Sequence, residues 1–182
     1  MKSLNISAAM FAFALSVLAV EAQDMKPKAA GNAAPMMTID KATFVKVVGS
    51  ANEFEIQSSE LAKKTTADDG IKSAADMIIA DHKKAGAKLK SLLEAKGDPT
   101  PPTKLSPKHE KMLDQLKGAQ GKDFDVLYLD MQAQAHMEAV GLFRTYAGAG
   151  DDQTLVGFAR ETLPRHETHL GHVKMLVAQH GM

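Results

Sequence analysis

Cysteine does not occur in the chain. Its absence removes disulfides, thiolate metal sites and cysteine nucleophiles at a stroke. It also excludes a lipid anchor on a cysteine behind a signal segment. An excess of one charge sign is missing too. Lys+Arg and Asp+Glu both number 22, so no basic field exists to hold nucleic acid or anionic lipid, and neither is expected as a partner. Alternating apolar and polar residues, the mark of a half-buried strand, are not found anywhere, so no sheet is expected. A glycine-rich phosphate loop and a Ser–His–Asp arrangement are likewise missing, and no complete enzyme motif remains.

Long apolar runs are also lacking. The longest, Ala8 to Val20 with Ser16 inside it, falls short of the roughly 20 residues a membrane-spanning helix needs. It follows Lys2 and precedes Val20-Glu21-Ala22, which puts small residues where signal peptidase requires them. Residues 1–22 therefore read as a cleaved signal peptide, which predicts a periplasmic or secreted protein. No membrane span is expected after cleavage. The intact mass of the exported protein checks this. A chain starting at Gln23 is expected, and a mass retaining residues 1–22 would refute it.

Residues 23–37, rich in Lys, Ala, Pro, Gly and Met, carry no apolar period and read as a disordered tether. Residues 38–182 read as one helical domain. A first helix runs from about Ile39 to Lys64, with Phe44, Val48, Ala51, Leu61 and Ala62 as its apolar positions. A second starts after a cap at Thr65 or Thr66. Its stripe of Ile71, Ala75, Ile78, His82, Ala85, Leu89 and Leu92 alternates steps of four and three, as a bundle seam does. Gly97, Pro99, Pro101 and Pro102 stop it. The connector from Gly97 to Gln120 holds a short helix with Ser106 as cap, Pro107 at its first position and Gly118 past its end. A third long helix covers about Lys122 to Ala147. A fourth starts at Asp151 or Asp152 and reaches Gln179, with a kink expected at Pro164. Short turns make each successive pair an antiparallel hairpin. A connector long enough to span the bundle then gives an all-α, ferritin-like four-helix bundle, two hairpins joined by one long crossover.

Each long helix carries ionisable residues within its apolar stripe. They are Glu55 on the first, His82 on the second, His136 on the third, and His166 and His169 on the fourth. Buried charge must be paired, neutralised or bound to metal, and imidazoles with a carboxylate from separate helices are how bundle cores hold transition metals. Zn, Cu, Ni or Fe(II) would suit such a set. The di-iron pattern needs more carboxylates and a Glu-x-x-His on two helices, whereas this chain has His166-x-x-His169, so a one-metal site is the sharper expectation. Asp81 is a second carboxylate, but lies about 100° round its helix from His82. Counting from the turns favours His166 over His169 at the common level. Two other readings stay open: a structural Glu–His–Gln network that fixes register, and a pocket for a small ligand. Met25, Met36, Met37, Met77, Met131 and Met137 could capture Cu(I), but fit core or tether roles as well. His109, His172 and His180 lack convergent partners and are expected at the surface. The interior glycines Gly49, Gly86, Gly141 and Gly157 each cost about 1 kcal/mol of helix propensity, which points to close helix approach or a loosened pocket wall.

Several stretches together resemble the domain-of-unknown-function 4142 family. They are Asn52-Glu53-Phe54-Glu55-Ile56 with Leu61-Ala62, then Ala80-Asp81-His82. Next come Phe124-Asp125-x-x-Tyr128-x-x-x-Gln132-x-x-x-His136, and Leu163-Pro164 with His169-Leu170. The resemblance spans about Thr38 to Ala178. It implies an exported bacterial protein with a ferritin-like helical fold, located in the periplasm or at the outer membrane, and no settled activity. By position it points to Glu55, His82, His136 and His169 as the shared polar set, with Asp125, Tyr128 and Gln132 as supporting residues. An envelope interaction or stress protein with a purely architectural polar core is the competing function.

Overall fold

The computed structural model describes residues 38–181. The signal peptide and tether expected over 1–37 lie outside them. Five helices and no strands make up the described chain: α1 (Lys41–Thr65), α2 (Asp69–Glu94), α3 (Pro107–Gly118), α4 (Gly121–Ala149) and α5 (Gln153–Gln179). None of these helices is long and apolar enough to cross a membrane.

The starts follow local chemistry. Asp40 caps α1 by accepting from the Thr43 amide at 2.7 Å, and Ser106 caps α3 with Pro107 behind it. The α2 cap is Asp68, not Thr65 or Thr66. Its carboxylate accepts from the Ile71 amide at 2.8 Å, while the Thr66 hydroxyl accepts from the Asp68 amide at 3.1 Å. A carboxylate at that position also meets the positive end of the helix dipole, which a hydroxyl cannot exploit. Asp152 caps α5 through the Thr154 and Leu155 amides. The helix then continues unbroken through Pro164.

α4 packs most extensively on α5 and α1 on α2; α1 also meets α4, and α2 meets α5. At one end Lys41 pairs with Asp98 and Asp152, and Phe44 stacks on Tyr146 with ring centroids 3.9 Å apart. At the other, Ser59 bonds Tyr128, and His180 stands 3.6 Å from Asp68. α3 lies against α1 and α4. The connector ahead of it presses Pro101 and Pro102 onto α1 so closely that a Cβ on Gly49 would meet the Pro102 carbonyl oxygen at 2.7 Å. Close approach thus explains Gly49. No such contact surrounds Gly141 or Gly157.

Docking of α3 also overturns the surface position expected for His109. The ring is buried, stacks on Phe54 at 5.1 Å and bonds the Ser50 hydroxyl at 2.7 Å.

The apolar core falls into two clusters. One gathers Phe54, Ile71, Ile78, Phe124, Tyr128, Leu129 and Leu176. The other gathers Phe44, Leu89, Leu93, Phe143, Tyr146, Leu155 and Phe158. His82 falls between Ile78 and Leu89, His136 between Leu129 and Phe143, and His166 and His169 between Phe158 and Val173. Three helices therefore interrupt their apolar stripes between the same two clusters, and Glu55 joins them from α1.

Candidate metal centre

Glu55, His82, His136, His166 and His169 are all buried, none more than 6% exposed, and the fold brings all five together. Glu55 Oε2 accepts from His82 Nδ1 at 2.9 Å. His136 Nδ1 donates to the Gln132 carbonyl oxygen at 2.9 Å, one turn back on α4. That nitrogen is also 3.4 Å from Glu55 Oε1, but it is already engaged, and Glu55 Oε1 has no hydrogen-bond partner. His169 Nε2 donates to Asp81 Oδ2 at 3.0 Å. Asp81 sits a helical step round from His82, and that rotation aims it at α5.

These partners assign the tautomers. Carboxylate and carbonyl oxygens only accept, so the protons lie on His82 Nδ1, His136 Nδ1 and His169 Nε2. A neutral ring has one proton, so the lone pairs are on His82 Nε2, His136 Nε2 and His169 Nδ1. The last two stand 3.2 Å apart with no proton of their own to share. His166 packs on Phe143, centroids 4.5 Å apart, and its buried Nδ1 has no partner at all. One potential ligand atom from each of His82, His136 and His166 lies within 4.8 Å of the others.

Burial disfavours the charged form of His136, His166 and His169. Burial pushes the His166 imidazole down to about 3, and the neighbouring His82 and His136 rings further disfavour a proton there. Burial and the same neighbours bring His169 down to about 4, and burial lowers His136 as well. Burial alone would raise Glu55, but His82 and His136 beside it outweigh that and hold its carboxyl well below the usual range. At neutral pH an anionic Glu55 carboxylate therefore stands beside neutral His136, His166 and His169 imidazoles.

The pH dependence follows in sign. An unfolded His titrates near 6.5. As pH falls from there towards 4, the unfolded chain binds protons that buried His166 and His169 refuse, so stability is lost across that window. Glu55, depressed when folded, contributes stability that is present above about 4.3 and lost below it, in the same direction. The melting temperature of metal-free protein should be highest above pH 7 and fall steadily from pH 6.5 to 4. A flat profile over that range, read by circular dichroism, would contradict the assignment of neutral buried imidazoles.

The supporting residues divide. Gln132 touches the cluster through its carbonyl, and its side-chain amide donates to the Ser58 hydroxyl at 2.8 Å. Tyr128 bonds Ser59 at 2.9 Å and lies two turns, about 12 Å along α4, from His136. Asp125, with one buried oxygen unpartnered, is about 16 Å away by the same measure. Those two belong to the lower part of the bundle, not to the imidazole layer, because the α4 rise separates them. Both His166 and His169 reach the layer; one turn apart on α5, they share a face.

Two openings lead to the cluster. A cleft of about 580 Å³ runs between α1, α2 and the connector, and Glu55, His82, His109 and His166 contribute to its lining. A smaller groove of about 230 Å³ between α2 and α5 is rimmed by Lys84, Lys88 and Arg165 and reaches His82, His166 and His169.

The family "Domain of unknown function (DUF4142)" matches residues 26–176. The chain belongs to that family. No curated protein matches it. Among solved structures, "CopM in the Cu(II)-bound form" superposes with a TM-score of 0.67 at 17% identity, covering 79% of this chain and 99% of that one. A DUF305 protein from Streptomyces coelicolor superposes with a TM-score of 0.65 at 16% identity, covering 76% of this chain and 91% of its own. At such identities the likeness is one of fold.

Proposed function

We propose that this DUF4142 protein is an exported, ferritin-like bundle that binds one divalent transition metal through His82, His136, His166 and His169. In this reading α1–α2 and α4–α5 are the two hairpins, and the segment carrying α3 is the crossover between them. The observation that carries the function is the approach of His136 Nε2 to His169 Nδ1 at 3.2 Å, beside a buried His166 nitrogen with no partner. Two nitrogens on a tetrahedral ion at about 2.0–2.1 Å stand about 3.3 Å apart, which the pair matches. The separations of up to 4.8 Å among His82, His136 and His166 ask for an inward shift of roughly 1.5 Å on the same estimate.

Glu55, first read as a ligand, takes a different role here. It and Asp81 hold His82 and His169 by their outer nitrogens, the carboxylate–histidine pairing that orients metal-bound imidazoles and raises their basicity. Imidazole donors suit Cu(II), Zn, Ni and Fe(II). The copper-bound state of the CopM structure makes Cu(II) the first ion to test. Elemental analysis of protein purified from the periplasm, without a His tag or chelator, should find about one transition-metal ion per chain. Metal-free preparations that take up none of the four ions in stoichiometric amount would reject the function.

A further inference from the structure

The metal reading leaves the larger cleft without a role. Its walls are apolar, with Val48 and Leu89 on one side and Ala139, Phe143 and Phe158 across the floor. Small side chains line it on facing helices, Ala51 on α1 and Ala85 on α2. A Cβ at Gly86 would come within 3.0 Å of the Asn52 amide, so Gly86 is small because α1 stands close at that point. A volume of about 580 Å³ falls in the range of small-molecule sites. The inner end is polar. Glu55 contributes a buried carboxylate oxygen that receives no hydrogen bond, and His166 a buried ring nitrogen without a partner. A carboxylate oxygen only accepts, and leaving it dry and unpartnered is costly.

We propose that this cleft binds a small molecule with an apolar, ring-sized body and a single hydrogen-bond-donating head, a phenol being the chemical class that fits. The body lies between α1 and α2 against Phe143 and Phe158, and the head donates to Glu55 at the inner end. An anionic head is rejected there, because it would face the Glu55 carboxylate. A head without a donor gains the apolar burial but leaves Glu55 Oε1 unpaired. This site stands on the cleft and on the unpartnered Glu55 oxygen of the metal-free protein.

The test uses 4-phenylphenol, its methyl ether 4-methoxybiphenyl, and biphenyl-4-carboxylate, titrated into purified metal-free protein and followed by calorimetry and by the histidine ring resonances. The phenol should bind saturably with one site per chain and move the His166 signals. It should bind at least tenfold more tightly than the ether or the carboxylate. Ala85→Phe, which fills the α2 wall, and Ala51→Leu, which fills the α1 wall, should each weaken the phenol at least tenfold while helicity is kept. Equal binding of all three probes would overturn the donor requirement. No saturable binding, or binding untouched by both wall variants, would overturn the site. Metal uptake by the same preparations is read separately, so loss of one function does not mimic loss of the other.

Discussion

Replacing His166 with leucine should move the two states of the protein in opposite directions. Without metal, the substitution removes a buried ring nitrogen that has no hydrogen-bond partner and puts apolar volume against Phe143. An unsatisfied buried polar group costs about 1–3 kcal/mol, so metal-free H166L should be as stable as the parent or more stable by about 1 kcal/mol. With metal, the same change deletes a ligand. A ligand at 100 times its dissociation constant stabilises the state it binds by about 2.7 kcal/mol, and most of that gain should vanish. Urea melts of both proteins, with and without Cu(II), measure the two terms. His82 is a poorer probe of the same question. Its Nδ1 donates to Glu55, so His82→Ala strands a buried carboxylate and destabilises the protein whether or not metal ever binds. If the layer were only an architectural network, H166L would leave the metal-loaded and metal-free melts equally displaced, and the proposed function would fail.

The helices were legible in the sequence because helix physics is local. The four-and-three spacing of Ile71, Ala75, Ile78 and His82 marks the buried face of α2. Ser106-Pro107 starts α3 where expected, and Asp152 starts α5. The polar layer was legible for the same reason, since each of its members interrupts an apolar stripe. What could not be read was which nitrogen or oxygen each residue would present. Asp81 looked misplaced when counted against its own helix. It is a partner of His169 only because α5 packs beside α2, a fact of tertiary arrangement. His109 shows the same limit. Nothing in a Pro-Lys-His-Glu stretch says that α3 will fold onto α1, so its burial against Phe54 and Ser50 has no local signal. A count of levels from the turns sets His166 against His169. Residues three apart share a helix face, and the layer is thick enough to take both.

Glu55 separates an outer partner from a direct ligand most sharply. Glu55→Ala removes the acceptor of the His82 proton in a fully buried site and leaves a cavity. Breaking a buried pair by deleting one member costs about 3–5 kcal/mol, so metal-free E55A should be the least stable single variant of the layer. Glu55→Gln is the informative change, because its side-chain oxygen can still accept from His82 Nδ1. If Glu55 orients His82 without touching the ion, E55Q should still bind one Cu(II), with affinity lowered about 10–100-fold, as loss of a supporting carboxylate typically lowers it. The nitrogen hyperfine pattern in the electron paramagnetic resonance spectrum should stay that of the parent, since the coordinating imidazoles are unchanged. A new spectrum with one fewer oxygen donor would instead place Glu55 on the metal. That result would reverse the assignment, because Glu55 Oε1, the carboxylate oxygen with no hydrogen-bond partner, is the atom that would have to turn inward to reach the ion.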